Sequence, residues 1–529
     1  MLAKFLIAEI IDSRLLSKYC AKSMANYSTE QSEMRNINNE LQNARPFKDI
    51  PGPRALPLIG NWFRFIPYIG EYGTYIGNLT TQFRMLRDQY GDIVKLDGLI
   101  GRRTTILLFS SELCEKMYRV EGVWPIRISL ESMHHYRESR RNIYDGQYGL
   151  GTSQGKAWYD FRSKINPHMM QPRAITPHVA QISQMADEFV EKMRTLRDPE
   201  TLEVPGDFKN ELYKWALESM GSIALDCRLG CLKSNLAADS EPQIMINCVH
   251  KMFDLMYRLD VLPSLWRLYN TRNLKKFFHV LDTLNGIAIK HIEEAELKLD
   301  ETTLNNDTHN CSILQKLLRL DKQVARVMAL DMLTAGIDTT GNVAGSMLYY
   351  IANNPEKQEK LREEVISLLP NKTSSITDDV LKQLKYVKAC IKESLRLFPV
   401  SIGNLRTMAT DVCIGGYKIP AGINVLACHS LMAMEPTQFP LPQEYIPERW
   451  MRGDTEFPSA REAHPFAYMP FGFGPRTCAG RRFAEMELET LLLTVIRNFR
   501  IEWHHGPLKY ESRYINTLAS PMRFKLIDL

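Results

Sequence analysis

Phe471-Gly472-Phe473-Gly474-Pro475-Arg476-Thr477-Cys478-Ala479-Gly480 is the stretch on which the reading of this 529-residue chain turns. Two glycines within four residues, followed by a proline, predict a tight, irregular loop. The loop delivers one cysteine just ahead of a helix expected from about Gly480 to Arg497. Backbone N–H groups and the dipole at a helix N-terminus lower a thiol pKa. Arg476 adds a positive charge two residues away. A lone thiolate held in this way suits axial ligation of haem iron. Small Ala479 and Gly480 leave room for a flat macrocycle to approach the backbone. Two other readings stay open on these residues alone. One is a buried structural cysteine in a glycine-rich loop. The other is a nucleophilic cysteine, although no pattern nominates the histidine base it needs.

The spacing Phe471–Gly474–Arg476–Cys478–Gly480 resembles the haem-binding signature of the cytochrome P-450 family, F-x-x-G-x-R-x-C-x-G, at every position. The resemblance implies a haem b cofactor with Cys478 as the thiolate ligand of its iron. It places Phe471, Gly472 and Gly480 against the cofactor. It also implies the family's fold, mainly α with a small β portion: a triangular helical body around a buried haem.

Working back along the chain, Ala335-Gly336-Ile337-Asp338-Thr339-Thr340 lies inside a long helical stretch. Glycine in mid-helix costs ~1 kcal/mol relative to alanine and asks for a reason. A helix widened at Gly336 could seat a ligand or water on freed backbone groups. Asp338 and Thr339 could then relay protons. The plainer alternative is a side-chain-to-backbone bond on a surface helix, but the flanking Met328, Leu330, Met332 and Leu333 argue for burial. The segment resembles the family's oxygen-activation motif A-G-x-D-T-T. That implies Ala335 at the cofactor and Asp338 and Thr339 as the proton-handling pair.

Glu393 and Arg396 sit at i,i+3 on one helical face, which as an exposed pair means little. With Arg449 of Pro447-Glu-Arg-Trp450 they resemble the family's E-x-x-R motif and its partner arginine, a structural network. Such a network holds only if every member is satisfied. Trp158 and Arg162 are one turn apart and could form a surface cation–π pair. Together with Arg406 and Arg476 they resemble the family's clamp on the haem propionates. Arginine suits that role because its planar fork bonds carboxylates bidentately.

Composition sets the outer limits. With 44% hydrophobic and 24% charged residues the chain is globular, which excludes disorder, a collagen and a coiled-coil rod. A net charge of +5 does not suggest nucleic-acid binding. The ten cysteines include no C-x-x-C; the closest pair, Cys227 and Cys231, fits one helical turn, and a reducing compartment is expected. The helix-compatible segments are 157–166, 210–225, 243–259, 274–299, 322–352, 355–369 and 384–397, with short strands at 92–96 and 104–109. One domain is expected from residue 50, where Ile50-Pro-Gly-Pro opens a rigid start, to residue 529.

Residues 1–28 carry Leu2, Phe5, Leu6, Ile10, Ile11, Leu15 and Leu16 at roughly helical spacing, interrupted by Lys4, Arg14, Lys18 and Lys22. No run approaches the ~20 apolar residues a membrane span needs. The segment resembles a mitochondrial transit peptide, although Glu9 and Asp12 depart from the pattern. The bland alternative is a frayed surface helix. Residues 29–49 read as a polar linker. Lys388 and Lys392 lie one turn apart, about 90° around the helix from Glu393 and Arg396, so they can face out. Arg481 and Arg482 follow the ligand. Together these features resemble the mitochondrial branch and imply an acidic adrenodoxin-type ferredoxin as electron donor. Tyr213-Lys-Trp-Ala-Leu-Glu-Ser-Met-Gly221 and Leu225-Asp-Cys-Arg-Leu-Gly-Cys231 also resemble that branch, and over residues 50 to 525 the chain looks most similar to its insect members.

The expected activity is hydroxylation of a small lipophilic substrate, an ecdysteroid-like steroid or a xenobiotic, with O₂. The pocket is expected from segments 124–149, 248–266, 327–332 and 399–405. The expected setting is the matrix face of the inner mitochondrial membrane, as a monomer in peripheral contact with it. Two competing classes are a haem carrier without turnover and a haem-thiolate isomerase needing no external electrons. A carrier needs neither the Asp338-Thr339 pair nor a basic face, and turnover without ferredoxin would mark the isomerase.

Overall fold

Asp321 starts the longest helix. Its carboxylate accepts from the backbone N–H groups of Gln323 at 3.0 Å and Val324 at 3.2 Å. This N-cap satisfies two donors that the first turn leaves without a partner. The helix runs Lys322–Ala352, the bounds expected from the sequence. It is apolar on all sides, and such a helix belongs in the middle of a core.

The structure, a computed structural model, describes residues 39–529 except 58, 67, 69, 76, 99–101, 234–235, 299–310 and 454–456. The expected transit segment, 1–28, and the first part of the expected linker lie outside the described residues. The rest of that linker is fastened to the body. Arg45 donates its backbone N–H to the Gly416 carbonyl at 2.9 Å, and its guanidinium lies 3.8 Å from the Tyr417 ring centroid.

The main helices in chain order are α1 (Leu79–Tyr90), α2 (Ser111–Val120), α3 (Glu131–Ser139), α4 (Gly155–Met169), α5 (Val179–Leu196), α6 (Phe208–Leu225), α7 (Glu241–Met256), α8 (Arg272–Lys298), α9 (Lys322–Ala352), α10 (Pro355–Leu368), α11 (Tyr386–Leu397) and α12 (Arg481–Asn498). A four-stranded sheet stands beside them, in the order β1 (Ile93–Leu96), β2 (Thr105–Leu108), β6 (Asn424–Ala427), β3 (Asn404–Thr407). β1 and β2 are antiparallel with Ile93 opposite Leu108; β2 and β6 are parallel, and β3 runs antiparallel to β6. The hairpin β4 (Val412–Ile414) and β5 (Tyr417–Ile419) lies between β3 and β6 in sequence. The fold is mainly α with a small β portion, as the resemblance implies.

The glycines of α9 explain how its neighbours reach it. A Cβ on Gly336 would lie 2.5 Å from Met220 Cγ, and one on Gly341 2.5 Å from Tyr213 Cδ1. Met220 and Tyr213 belong to α6, which packs straight onto the α9 backbone. This corrects the expected widening at Gly336: α9 is regular α-helix through that residue, and the missing side chain makes room for Met220.

Candidate functional site

The cysteine loop is closed by its own backbone. Cys478 N–H donates to the Phe471 carbonyl at 2.9 Å, and the Thr477 hydroxyl donates to the same oxygen at 3.1 Å. Gly472 and Gly474 both sit at φ +74°, left-handed backbone that other residues rarely adopt. The loop ends at Gly480, the N-cap of α12, where an added Cβ would meet nothing within 4 Å.

Among the described cysteines Cys478 alone is exposed. It is nonetheless set among core residues: Ala479 and Phe483 are buried in the main hydrophobic cluster and Phe471 packs against it. Its open side therefore faces an interior space. Ala335 on α9 behaves in the same way, exposed between the buried Leu333 and Ile337. Thr339, one turn on, donates its hydroxyl to the Ala335 carbonyl at 2.7 Å. That is the local bond weighed from the sequence, but on a helix in the core.

The thiol pKa differs in direction from the sequence expectation. Burial raises it; the Gly480 backbone N–H, Arg162 and Arg481 pull it down and do not prevail. Arg476, the expected helper, points its guanidinium at the Pro125 and Ser153 carbonyls, 2.9 Å each, and at Gln154 Oε1 at 3.0 Å. A metal on the sulfur would displace the proton outright.

Beside the loop lies a cluster of arginines. Arg162 on α4 is buried and donates to the Thr477 carbonyl at 2.9 Å. Arg406 on β3 is buried and paired with Glu121. Arg476 lies over the Trp158 ring, 4.3 Å from its centroid. The fourth member, Arg127, escaped the sequence reading because it sits alone in a loop. Its backbone N–H donates to Gln154 Oε1 at 2.8 Å, and the Cys478 sulfur is near enough to act on its charge.

Burial, then Arg127 and Arg406, push the Arg476 pKa down to about 8, with Glu121 opposing. A guanidinium resists losing its proton, so an anion is the natural relief. Arg476 Nη1, Arg127 Nε and Arg162 Nε are buried without hydrogen-bond partners. Four arginines against one carboxylate, with these orphaned donors beside an accessible sulfur, fit a thiolate-ligated haem carrying two carboxylates.

The Glu393 network is fully satisfied. Arg396 bonds both carboxylate oxygens, at 2.7 and 3.0 Å. Arg449 Nε reaches Oε1 at 3.1 Å, and Trp450 Nε1 reaches Oε2 at 2.8 Å. Remaining donors go to carbonyls, including Pro442 from Arg396 and Pro440 from Arg449. All three charged side chains are at most 1% exposed.

The basic cluster is only partly as expected. Lys392 is exposed, but Lys388 is half-buried and donates to the Leu381 carbonyl at 2.6 Å. Arg481 and Arg482 share Glu485, at 2.8 and 3.9 Å. Burial lowers the Lys392 pKa, with Arg481, Lys388 and Arg461 adding to it and Glu485 opposing. These charges therefore face one another, and Arg461 joins them from a loop the sequence reading left out.

A cavity of about 370 Å³ has mixed, mostly apolar walls. Ile128, Leu262 and Leu405 come from three of the four expected segments. Residues 327–332 do not line it: Val327 through Leu330 are packed in the core. Phe65, Phe83, Tyr514 and Ile515 line it instead, brought in by the two ends of the described chain.

Residues 50–525 match the family model described as Cytochrome P450. The chain is 38% identical over 497 residues to the Drosophila melanogaster protein named "Probable cytochrome P450 12b2, mitochondrial", covering 93% of this chain and 91% of that protein. It is 36% identical to "Cytochrome P450 CYP12A2" of Musca domestica, covering 94% of each. In fold it is similar to the solved structure of the cytochrome P450DA heme domain, with a TM-score of 0.70 at 20% identity, covering 91% of this chain and 96% of that one. Among the described residues no helix is long and apolar enough to cross a membrane.

Proposed function

The chain belongs to the cytochrome P450 family and is a haem-thiolate monooxygenase, and on that premise we propose that it hydroxylates a small lipophilic substrate in the mitochondrion with electrons from an adrenodoxin-type ferredoxin. The observation that carries the choice of donor is the gathering of Lys388, Lys392, Arg461 and Arg481 on the Cys478 side. An acidic partner would find there both attraction and a fixed orientation. The mitochondrial names of relatives such as the 12b2 protein support the location.

A thiolate-ligated haem supplies reductive activation of O₂ and transfer of one oxygen atom to carbon. In this reading Cys478 holds the iron, and Arg127, Arg162, Arg406 and Arg476 hold the propionates beside Trp158. Phe471, Gly472, Gly480 and Ala335 border the ring. Asp338 and Thr339 hold and move the protons the reaction consumes. Glu393, Arg396 and Arg449 keep the segment before the cysteine loop in place. The 370 Å³ cavity suits a steroid or a xenobiotic of similar bulk, because apolar walls bind by area more than by directed bonds.

Leu268 and Tyr269, 79% and 59% exposed, lie a few residues beyond Leu262 and Pro263 of the cavity wall. They supply a small apolar face for peripheral contact with the inner membrane on its matrix side.

Purified protein given an adrenodoxin-type ferredoxin and its reductase should oxidise lipophilic probes. With a flavoprotein reductase of the microsomal kind it should not. Full activity with the flavoprotein alone would overturn the proposed donor.

A further inference from the structure

Asp338 is buried, and its Oδ1 lies 3.0 Å from Nε2 of His250 on α7. Their side chains are 2% and 37% exposed, so one member of the pair is inside and the other reaches out. Neither atom has another partner. The imidazole stands edge-on to the Tyr213 ring, with centroids 4.5 Å apart. Tyr213 is pinned in turn by its hydroxyl on Asn342 Oδ1 at 3.1 Å, and Asn342 donates back to the Asp338 carbonyl at 2.7 Å.

Asp338, His250 and Tyr213 line a cavity of about 320 Å³ whose other charged walls are Lys209, Asp254, Glu511 and Arg513. Those charges are already occupied. Asp254 holds Lys251, Arg258 and Arg513; Glu511 also pairs with Arg513; Lys209 donates to the Leu518 carbonyl. His250 is thus the one ion-pair partner of Asp338 among the described residues.

We infer that His250 passes protons from this second cavity to Asp338. The inference rests on the reading of Asp338 as a proton-handling residue. Hydroxylation balances as R–H + O₂ + 2 e⁻ + 2 H⁺ → R–OH + H₂O, with the electrons supplied by the ferredoxin. The two protons come from solvent, to which Asp338 presents only 2% of its side chain and His250 presents 37%. An imidazole can take a proton at one ring nitrogen and release one from the other. Here the inner nitrogen faces Asp338 and the rest of the ring borders the cavity, so one proton moves inward with no charge left on the ring. His250 acts through Asp338 and is a positioning residue.

The test uses the haem-loaded protein as His250→Gln and, separately, Asp338→Asn. For His250→Gln, substrate-induced spectral shifts and the ferredoxin reduction rate should match the parent. Product per electron should fall roughly tenfold, less than a positioned proton donor can supply because cavity water substitutes in part. The solvent deuterium isotope effect on product formation should rise, a change that a merely structural role would not produce. With His250 left in place, its carbethoxylation by diethyl pyrocarbonate, read by peptide mass, should be faster in Asp338→Asn than in the parent, as the ring loses its partner. A parental yield and isotope effect in His250→Gln, with both altered in Asp338→Asn, would overturn the role of His250 and leave Asp338 standing. Parental values in both variants would remove Asp338 as well. Equal carbethoxylation rates would show that the pair does not form.

Discussion

The guanidinium of Arg476 lies 4.3 Å from the centroid of the Trp158 ring, and among the described residues it has no carboxylate partner. A cation stacked on an aromatic face and fed by carbonyls is still short of its counter-charge. Arg476→Leu should therefore lose haem faster. A charge-assisted hydrogen bond is worth ~1.5–3 kcal/mol, which corresponds to roughly a tenfold to hundredfold faster loss. Transfer of haem to an acceptor protein measures it. Unchanged retention would remove Arg476 from the propionate clamp.

The α6–α9 crossing gives a second expectation. Alanine normally stabilises a helix over glycine by ~1 kcal/mol. At Gly341 the new Cβ would lie 2.5 Å from an aromatic carbon of Tyr213, whose ring is buried. Overpacking of this kind costs ~1–3 kcal/mol. At Gly336 the clash is with Met220, a flexible side chain that can turn aside. Gly341→Ala should lower the unfolding midpoint clearly and Gly336→Ala less. The reverse order in thermal unfolding would contradict this packing.

These two sites also show what the sequence could and could not say. The loop around Cys478 is local: its glycines, its proline and the helix behind it are contiguous, so its shape was legible. The bounds of α9 were legible because Asp321 caps it and the residues that follow are mostly apolar. Arg127, Gln154 and Glu121 meet Arg476 and Arg406 only after the chain has folded, and nothing local marks them. Helices such as α1 and α2 are half-solvated, started by single caps at Asn78 and Ser110, and at 12 and 10 residues they offer only a few turns of pattern to read. The thiol pKa went the other way because sequence shows neighbouring charges but not depth.

Glu487 on α12 makes stability depend on pH. Burial pushes its carboxyl from 4.5 up to about 8. Between those values the folded chain holds one proton more than the unfolded chain. Its contribution is complete below about 4.5 and is lost as pH rises through about 8. One such proton sets a slope of up to ~1.4 kcal/mol per pH unit. Glu487→Gln carries no charge, so its unfolding free energy in urea should fall less steeply across this window. Parallel curves for parent and variant would contradict it.

The donor dock predicts a salt-dependent effect. Lys392 is exposed and Lys388 is tied to the Leu381 carbonyl, so reversal of Lys392 should matter more. A loss of ~1.4 kcal/mol at Lys392→Glu slows ferredoxin-driven reduction about tenfold. The difference should shrink as salt rises, since exposed charges are screened beyond ~8 Å at physiological ionic strength. Reduction by dithionite should be unchanged. Equal ferredoxin rates at low salt would displace the dock.

The proposed function makes Cys478 the thiolate ligand of the haem iron. The reduced protein under carbon monoxide tests it most directly. The parent should show the red-shifted Soret band of a thiolate-ligated haem. Cys478→Ser should lose that band, while a Ser at Cys248 or Cys390 leaves it in place. Retention of the band in Cys478→Ser would contradict the account.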